Sequence, residues 1–159
     1  MFYQTTVVLP VSRMKALISL LEKVEIQAKE KNMSDADVLA LRLSPDMFPF
    51  AKQIQIVSDN AKGMVSRLTG KEAPKMEDSE PTLADLRTRL ESTIAYVESF
   101  SEEDFSDAAT TEIRISYFPG LHMVGQDYVT GYALPNFFFH VVTVYSIFRH
   151  HGFDVGKSD

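Results

Sequence analysis

No cysteine occurs in the 159 residues, which excludes disulfides, thiolate metal sites, iron–sulfur clusters and cysteine nucleophiles together. Basic charge is also short. Lys and Arg total 16 against 22 Asp and Glu, a formal net charge of −6. Nucleic-acid phosphates call for clustered cations, so no nucleic-acid partner is expected; Lys71 and Lys75 belong to a mixed-charge loop. A bilayer span needs about 20 largely apolar residues. The most apolar stretch, residues 133–148, falls short of that and contains Pro135, Asn136 and His140. The opening segment MFYQTTVVLPVSRMKALISLL lacks a basic leader, and Arg13 and Lys15 interrupt its apolar run. A cytoplasmic protein without a membrane partner is expected. The chain also lacks a glycine-rich phosphate loop, a G-x-S-x-G elbow, an H-E-x-x-H pair and a calcium loop.

What is present reads as one domain over residues 1–159, 45% hydrophobic and 24% charged. That length buries about 70% of the surface an unfolded chain exposes. Four segments carry helical periodicity. Met14, Leu17, Leu21, Val24 and Ala28 form the first stripe, and Pro10 is expected to start or kink its helix. Ser34 to Leu41 is a short helical candidate, with Ser34 and Asp37 spaced as a capping box. The second long helix is predicted to begin near Pro45, with Ser44 as N-cap and Asp46 in its first turn. Its seam is Met47, Phe50, Ile54, Val57, Ala61, Met64 and Leu68, with Gly70 as the stop. Residues 71–81 read as a charged loop with little to bury. Thr82 and Asp85 open a third helix along Leu83, Leu86, Leu90, Ile94 and Val97, and residues 101–105 suggest one further turn. Alternation from Glu112 to Tyr117, then Pro119-Gly120 and Leu121 to Val124, predicts a β-hairpin. The last helix is predicted from Gln126 to His151, bent at Pro135 and stopped by Gly152.

From Phe137 to Phe148 that helix is apolar on nearly every side, the pattern of a buried helix. Asn136, His140 and Thr143 interrupt it at spacings of four and three and so share a face. An unpaired buried polar group costs about 1–3 kcal/mol, so this trio needs partners: groups across the bundle, a ligand or a metal. Helix two offers Asp46, Gln53 and Asn60, seven apart, with Gln55 and Asp59 as alternatives. His150 and His151 suit a helix C-terminus, and His122 is expected to face solvent.

The segments PDMFPFAKQI (45–54), RLTG (67–70) and ALPNFFFHVVTVYSIFRHHG (133–152) resemble an uncharacterised family of bacterial and fungal proteins. It is a domain of unknown function grouped with the DinB/YfiT-like metalloenzymes. The resemblance spans nearly the whole chain. The segments themselves predict an all-α, antiparallel four-helix bundle with the hairpin between helices three and four; the resemblance implies a four-helix bundle, often a homodimer. It further implies a divalent metal held by a helix-two histidine and an H-x-x-x-H pair on helix four, as in thiol-dependent transferases or hydrolases. Aligned on the C-terminal Arg-x-x-Gly, His140 takes the second histidine of that pair and Asn136 stands at the first. Helix two has no histidine, only Gln53 or Gln55 near that level. One imidazole with neutral amides predicts weak metal binding at best, and no cofactor is named.

Three functional readings follow. The first is a small-ligand pocket in the degenerate metal position, lined by His140, Asn136, Thr143, Gln53 and Asp46. The second is a metal-dependent transferase or hydrolase with His140 as ligand or general base. The third is a non-catalytic dimeric interaction module, with Tyr3, Phe48 or Tyr117 on its interface.

Overall fold

The computed structural model describes residues 1–115, 118–120 and 122–159. Ser116, Tyr117 and Leu121 lie outside the described residues, and with them Tyr117 as an interface candidate and part of the predicted hairpin. A π turn, Gln4–Val8, leads into α1 (Leu9–Glu30). Pro10 accounts for it. Proline lacks an N–H, and its ring collides with the carbonyl four residues back in a regular helix. The wider turn, with the Leu9 N–H on the Gln4 carbonyl, puts Pro10 in the first turn of a new α segment, where no N–H is needed.

The capping box at Ser34 and Asp37 forms as expected, opening α2 (Asp35–Leu39). Helix α3 (Phe50–Thr69) starts five residues later than predicted, with Pro49 as its N-cap. The reason is the proline pair. Pro49 cannot donate and disfavours helical geometry at Phe48, so a helix from Pro45 cannot pass it. The Phe50 N–H instead donates to the Leu41 carbonyl at 2.7 Å, and Asp46 is left outside the helix. Gly70 ends α3 in the left-handed region at φ 74°.

Helix α4 (Leu83–Glu98) is capped by Thr82, whose hydroxyl accepts from the Asp85 N–H. A 3-10 turn, Glu102–Phe105, follows. Strands β1 (Glu112–Arg114) and β2 (His122–Val124) then pair antiparallel, Ile113 opposite Met123. The last helical stretch comprises α5 (Gly125–Tyr128), a π turn Val129–Ala133 and α6 (Leu134–His150). Pro135 thus repeats the arrangement at Pro10: a π turn, then proline in the first α turn.

Side-chain pairs give the helix directions. Lys15 meets Glu98 and Glu25 meets Arg87, so α1 and α4 are antiparallel. Phe50 packs on Phe148 and Asn60 bonds Asn136, so α3 and α6 are antiparallel. Across the third interface Asp59 meets Arg89 and Ser66 reaches Tyr96; α3 and α4 run the same way. The chain must therefore travel back between them, and residues 70–82 do so along α3. Lys62 donates to the Pro74 carbonyl, Ser58 faces the Met76 sulfur and Lys52 pairs with Asp78. The expected charged surface loop is thus also the crossover: none of residues 71–81 is buried, and Ala73, Met76 and Glu80 are half-buried against the helices.

Met14, Leu21, Ile54, Met64, Leu90, Phe137 and Phe148 are among the fully buried core side chains. The expectation that α6 is buried all round is corrected. Phe139 and Val142 are each 57% exposed, because α6 packs on α3 chiefly along its opposite face and meets α1 only lightly.

Candidate functional site

His140 sits on the α6 face turned to α3, 8% exposed. Its Nδ1 lies 2.6 Å from Gln53 Oε1. The tautomer follows from the next bond: Gln53 Nε2 donates to the Phe48 carbonyl at 3.1 Å, which turns the amide oxygen to the ring. An oxygen without a proton can only accept, so Nδ1–H donates and Nε2 carries the lone pair. The Pro49 helix start has a role here, since it leaves the Phe48 carbonyl free to orient Gln53. Burial lowers the His140 pKa below the ordinary 6.5, so the ring is neutral at pH 7.

Two turns along α3 and one turn back along α6, Asn136 Nδ2 donates to Asn60 Oδ1 at 3.0 Å. The Asn60 amide nitrogen is itself buried and has no hydrogen-bond partner. Of the predicted site residues, the structure thus joins His140 with Gln53 and Asn136 with Asn60. Thr143 is buried but its hydroxyl donates to the Phe139 carbonyl of its own helix at 2.7 Å. Asp46 is exposed and bonded to Ser44 at 2.5 Å, a bond that holds its carboxyl below the ordinary value; it does not join the cluster. His122 faces solvent as expected, against Glu112. His151, expected only to cap, donates from Nε2 to the Arg42 carbonyl at 2.9 Å. Of the interface candidates, Phe48 is exposed while Tyr3 is half-buried, edge-on to Phe105.

A catalytic zinc keeps about three imidazole, thiolate or carboxylate ligands. Here there is one imidazole. The Gln53 oxygen is occupied by the His140 N–H and the Asn136 amide is spent on Asn60. Among the described residues no three His, Asp or Glu side chains form a metal-holding group. The donor set does not fit the divalent metal that the fold resemblance implies.

A second polar cluster escaped the sequence reading. Arg89 on α4, its side chain 2% exposed, donates to Glu80 at 2.6 Å, Asp78 at 3.0 Å, Asp59 at 3.1 Å and the Glu77 carbonyl at 2.9 Å. Gln55, one of the predicted alternatives, belongs here and donates to Glu80 at 2.8 Å. Beside it the hydroxyls of Ser58 and Thr93 bond at 2.7 Å in the core, with the Met76 sulfur on both. The available signal was register: Ser58 follows Ile54 by four, and Thr93 fills the gap between Leu90 and Val97. At the histidine site, by contrast, burial alone moves the pKa, and downward. Below pH 6.5 the unfolded chain binds a proton that folded His140 resists, so stability falls with pH until the lowered folded value is reached. His140→Gln should flatten that limb in urea melts run between pH 7.5 and 5.5.

Comparison with known proteins agrees with this fold. A solved DinB family member protein from Shewanella denitrificans matches with a TM-score of 0.95 at 42% identity, covering 99% of this chain and 90% of that one. No curated protein matches. Residues 2–159 match the family described as Domain of unknown function (DUF1993), and the chain belongs to that family.

Proposed function

We propose that the protein binds a small polar molecule at the α3–α6 interface, in the position where the fold resemblance puts a metal, and that it does so without one. The observation that carries this reading is the His140–Gln53 bond. It spends Nδ1–H on the protein and leaves Nε2 of a neutral imidazole as an acceptor with no partner among the described residues. Nε2 is not among the fully buried atoms without a partner, so it reaches solvent at this interface and is open to a donor from outside the protein. The Asn60 amide nitrogen supplies a donor on the same interface that also lacks a partner. The ligand class is therefore one with both an O–H or N–H group for His140 and a carbonyl-type oxygen for Asn60. Gln53 and Asn136 act as positioning residues.

Thermal-shift screening of small hydroxy acids and carboxamides against the wild type and His140→Leu tests this. A ligand that raises the wild-type midpoint by several degrees should leave the variant unmoved, with helical circular dichroism intact. A variant that is more stable and a wild type that responds to nothing would end the reading. Stoichiometric zinc in protein purified without an affinity tag, lost in His140→Ala, would replace it with the metalloenzyme reading.

A further inference from the structure

We infer that the groove between α1 and α6 is a binding site for a straight-chain carboxylate, separate from the His140 site. A cavity of about 350 Å³ opens there. Leu17 and Leu20 of α1 and Phe138 and Val142 of α6 contribute apolar walls. Val142 is 57% exposed, although α6 has a fully packed face against α3. A helix with one solvent-facing side ordinarily makes that side polar. Here Phe139 and Val142, both exposed, accompany the partly buried Phe138, Val141 and Tyr145. This sustained apolar face beside an open slot is the first half of the recognition.

The second half is charge. Arg13 and Lys157 both line the same cavity. Arg13 donates to the neighbouring Ser12 hydroxyl at 3.2 Å. Among the described residues neither Arg13 nor Lys157 forms an ion pair. The one carboxylate side chain in the lining, Asp159, is already compensated by Lys23 at 3.0 Å and the Gly156 N–H at 2.6 Å. A chain of net charge −6 thus places two uncompensated cations on its apolar slot. An apolar wall with spare positive charge at its rim complements an anionic head on a hydrocarbon tail. It does not complement a neutral or cationic amphiphile. Size narrows the class further: counting about 30 Å³ per non-hydrogen atom, as for liquid water, the cavity holds about a dozen. A saturated carboxylate of ten carbons has that many.

Isothermal titration with decanoate below its micellar range tests the assignment. One site per chain is expected, at least tenfold tighter for decanoate than for decyltrimethylammonium or hexanoate. Arg13→Ala with Lys157→Ala should weaken decanoate at least tenfold. Val142→Asp, at an exposed position, should abolish binding while leaving the circular dichroism unchanged. His140→Leu should bind decanoate as the wild type does, so failure of the His140 reading and failure of this one are told apart. The proposal is overturned by the absence of saturable heat, or by binding indifferent to the two cations. It is overturned equally by a dimer that Val142→Asp converts to monomer, since a second copy would then cover the groove.

Discussion

Arg89→Met is expected to be among the most destabilising single changes in this protein, by about 3 kcal/mol. Removing one partner of a buried ion cluster leaves the others unpaired, and measured losses of that kind run at about 3–5 kcal/mol. The lower end applies because the partners differ in burial. Glu80, 11% exposed, would lose its cation and keep only the Gln55 amide, whereas Asp59 and Asp78 retain more water. The loss also reaches beyond α4, since the Arg89 fork holds the crossover through Glu80, Asp78 and the Glu77 carbonyl. Urea denaturation at pH 7 should show the midpoint shift, and limited proteolysis should cut the variant first within residues 71–82.

The same cluster predicts an acid limb. Desolvation raises the Glu80 pKa, but the hydrogen bonds from Arg89 and Gln55 outweigh it and the net direction is down from 4.5. Asp78 behaves likewise: desolvation is opposed by Lys52 and Arg89, and its value ends below 3.8. A carboxyl with a depressed folded value contributes stability above its unfolded value and loses it as pH falls through the folded one. Wild-type stability should therefore drop below about pH 4.5. Arg89→Met, which leaves only Gln55 on Glu80 and Lys52 on Asp78, should lose much of that slope.

Gly125→Ala should destabilise nearly as much, and for a steric reason. A Cβ at Gly125 would lie 1.8 Å from the Ala108 carbonyl oxygen and 2.9 Å from Leu68 Cδ2. Backbone cannot swing aside as a side-chain tip can. The approach is held on both sides of the contact, with the Gly125 N–H on the Thr111 carbonyl at 2.9 Å and the Gln126 N–H on the Ala109 carbonyl at 3.2 Å. Overpacking at a constrained site costs about 1–3 kcal/mol, occasionally more, and the upper end is expected here. Gly131→Ala is the matched control. Nothing stands within 4 Å of its added Cβ, so the lower entropy of the unfolded chain should make it neutral or stabilising by about 0.5 kcal/mol. Paired urea melts separate the two. Equal midpoints for both variants would remove the steric account.

The legibility of this chain varies by residue for identifiable reasons. Ser34 with Asp37, Thr82 with Asp85 and Gly70 were readable because each acts on backbone groups within about four residues, and each cap forms. Prolines were readable as interruptions, but the remedy was not. Pro10 and Pro135 are accommodated by π turns, whereas Pro49 sets a new helix start. In the candidate site, the seven-residue spacing of Asp46, Gln53 and Asn60 picked out two residues that do face α6. It failed at Asp46, because a periodic argument holds only while the helix continues.

Sequence alone determined the four helical segments, the hairpin, the polar trio on the last helix and the family resemblance. All of these rest on local backbone chemistry or residue identity. Tertiary structure alone decided that α3 and α4 run in the same direction. With it came the crossover's path along α3, the partners of Arg89 and the choice of Gln53 over Gln55 for His140. Only the packed arrangement decided, too, that one face of α6 stays open beside α1. Periodicity states which residues share a face; the packing of all the helices together decides what that face meets.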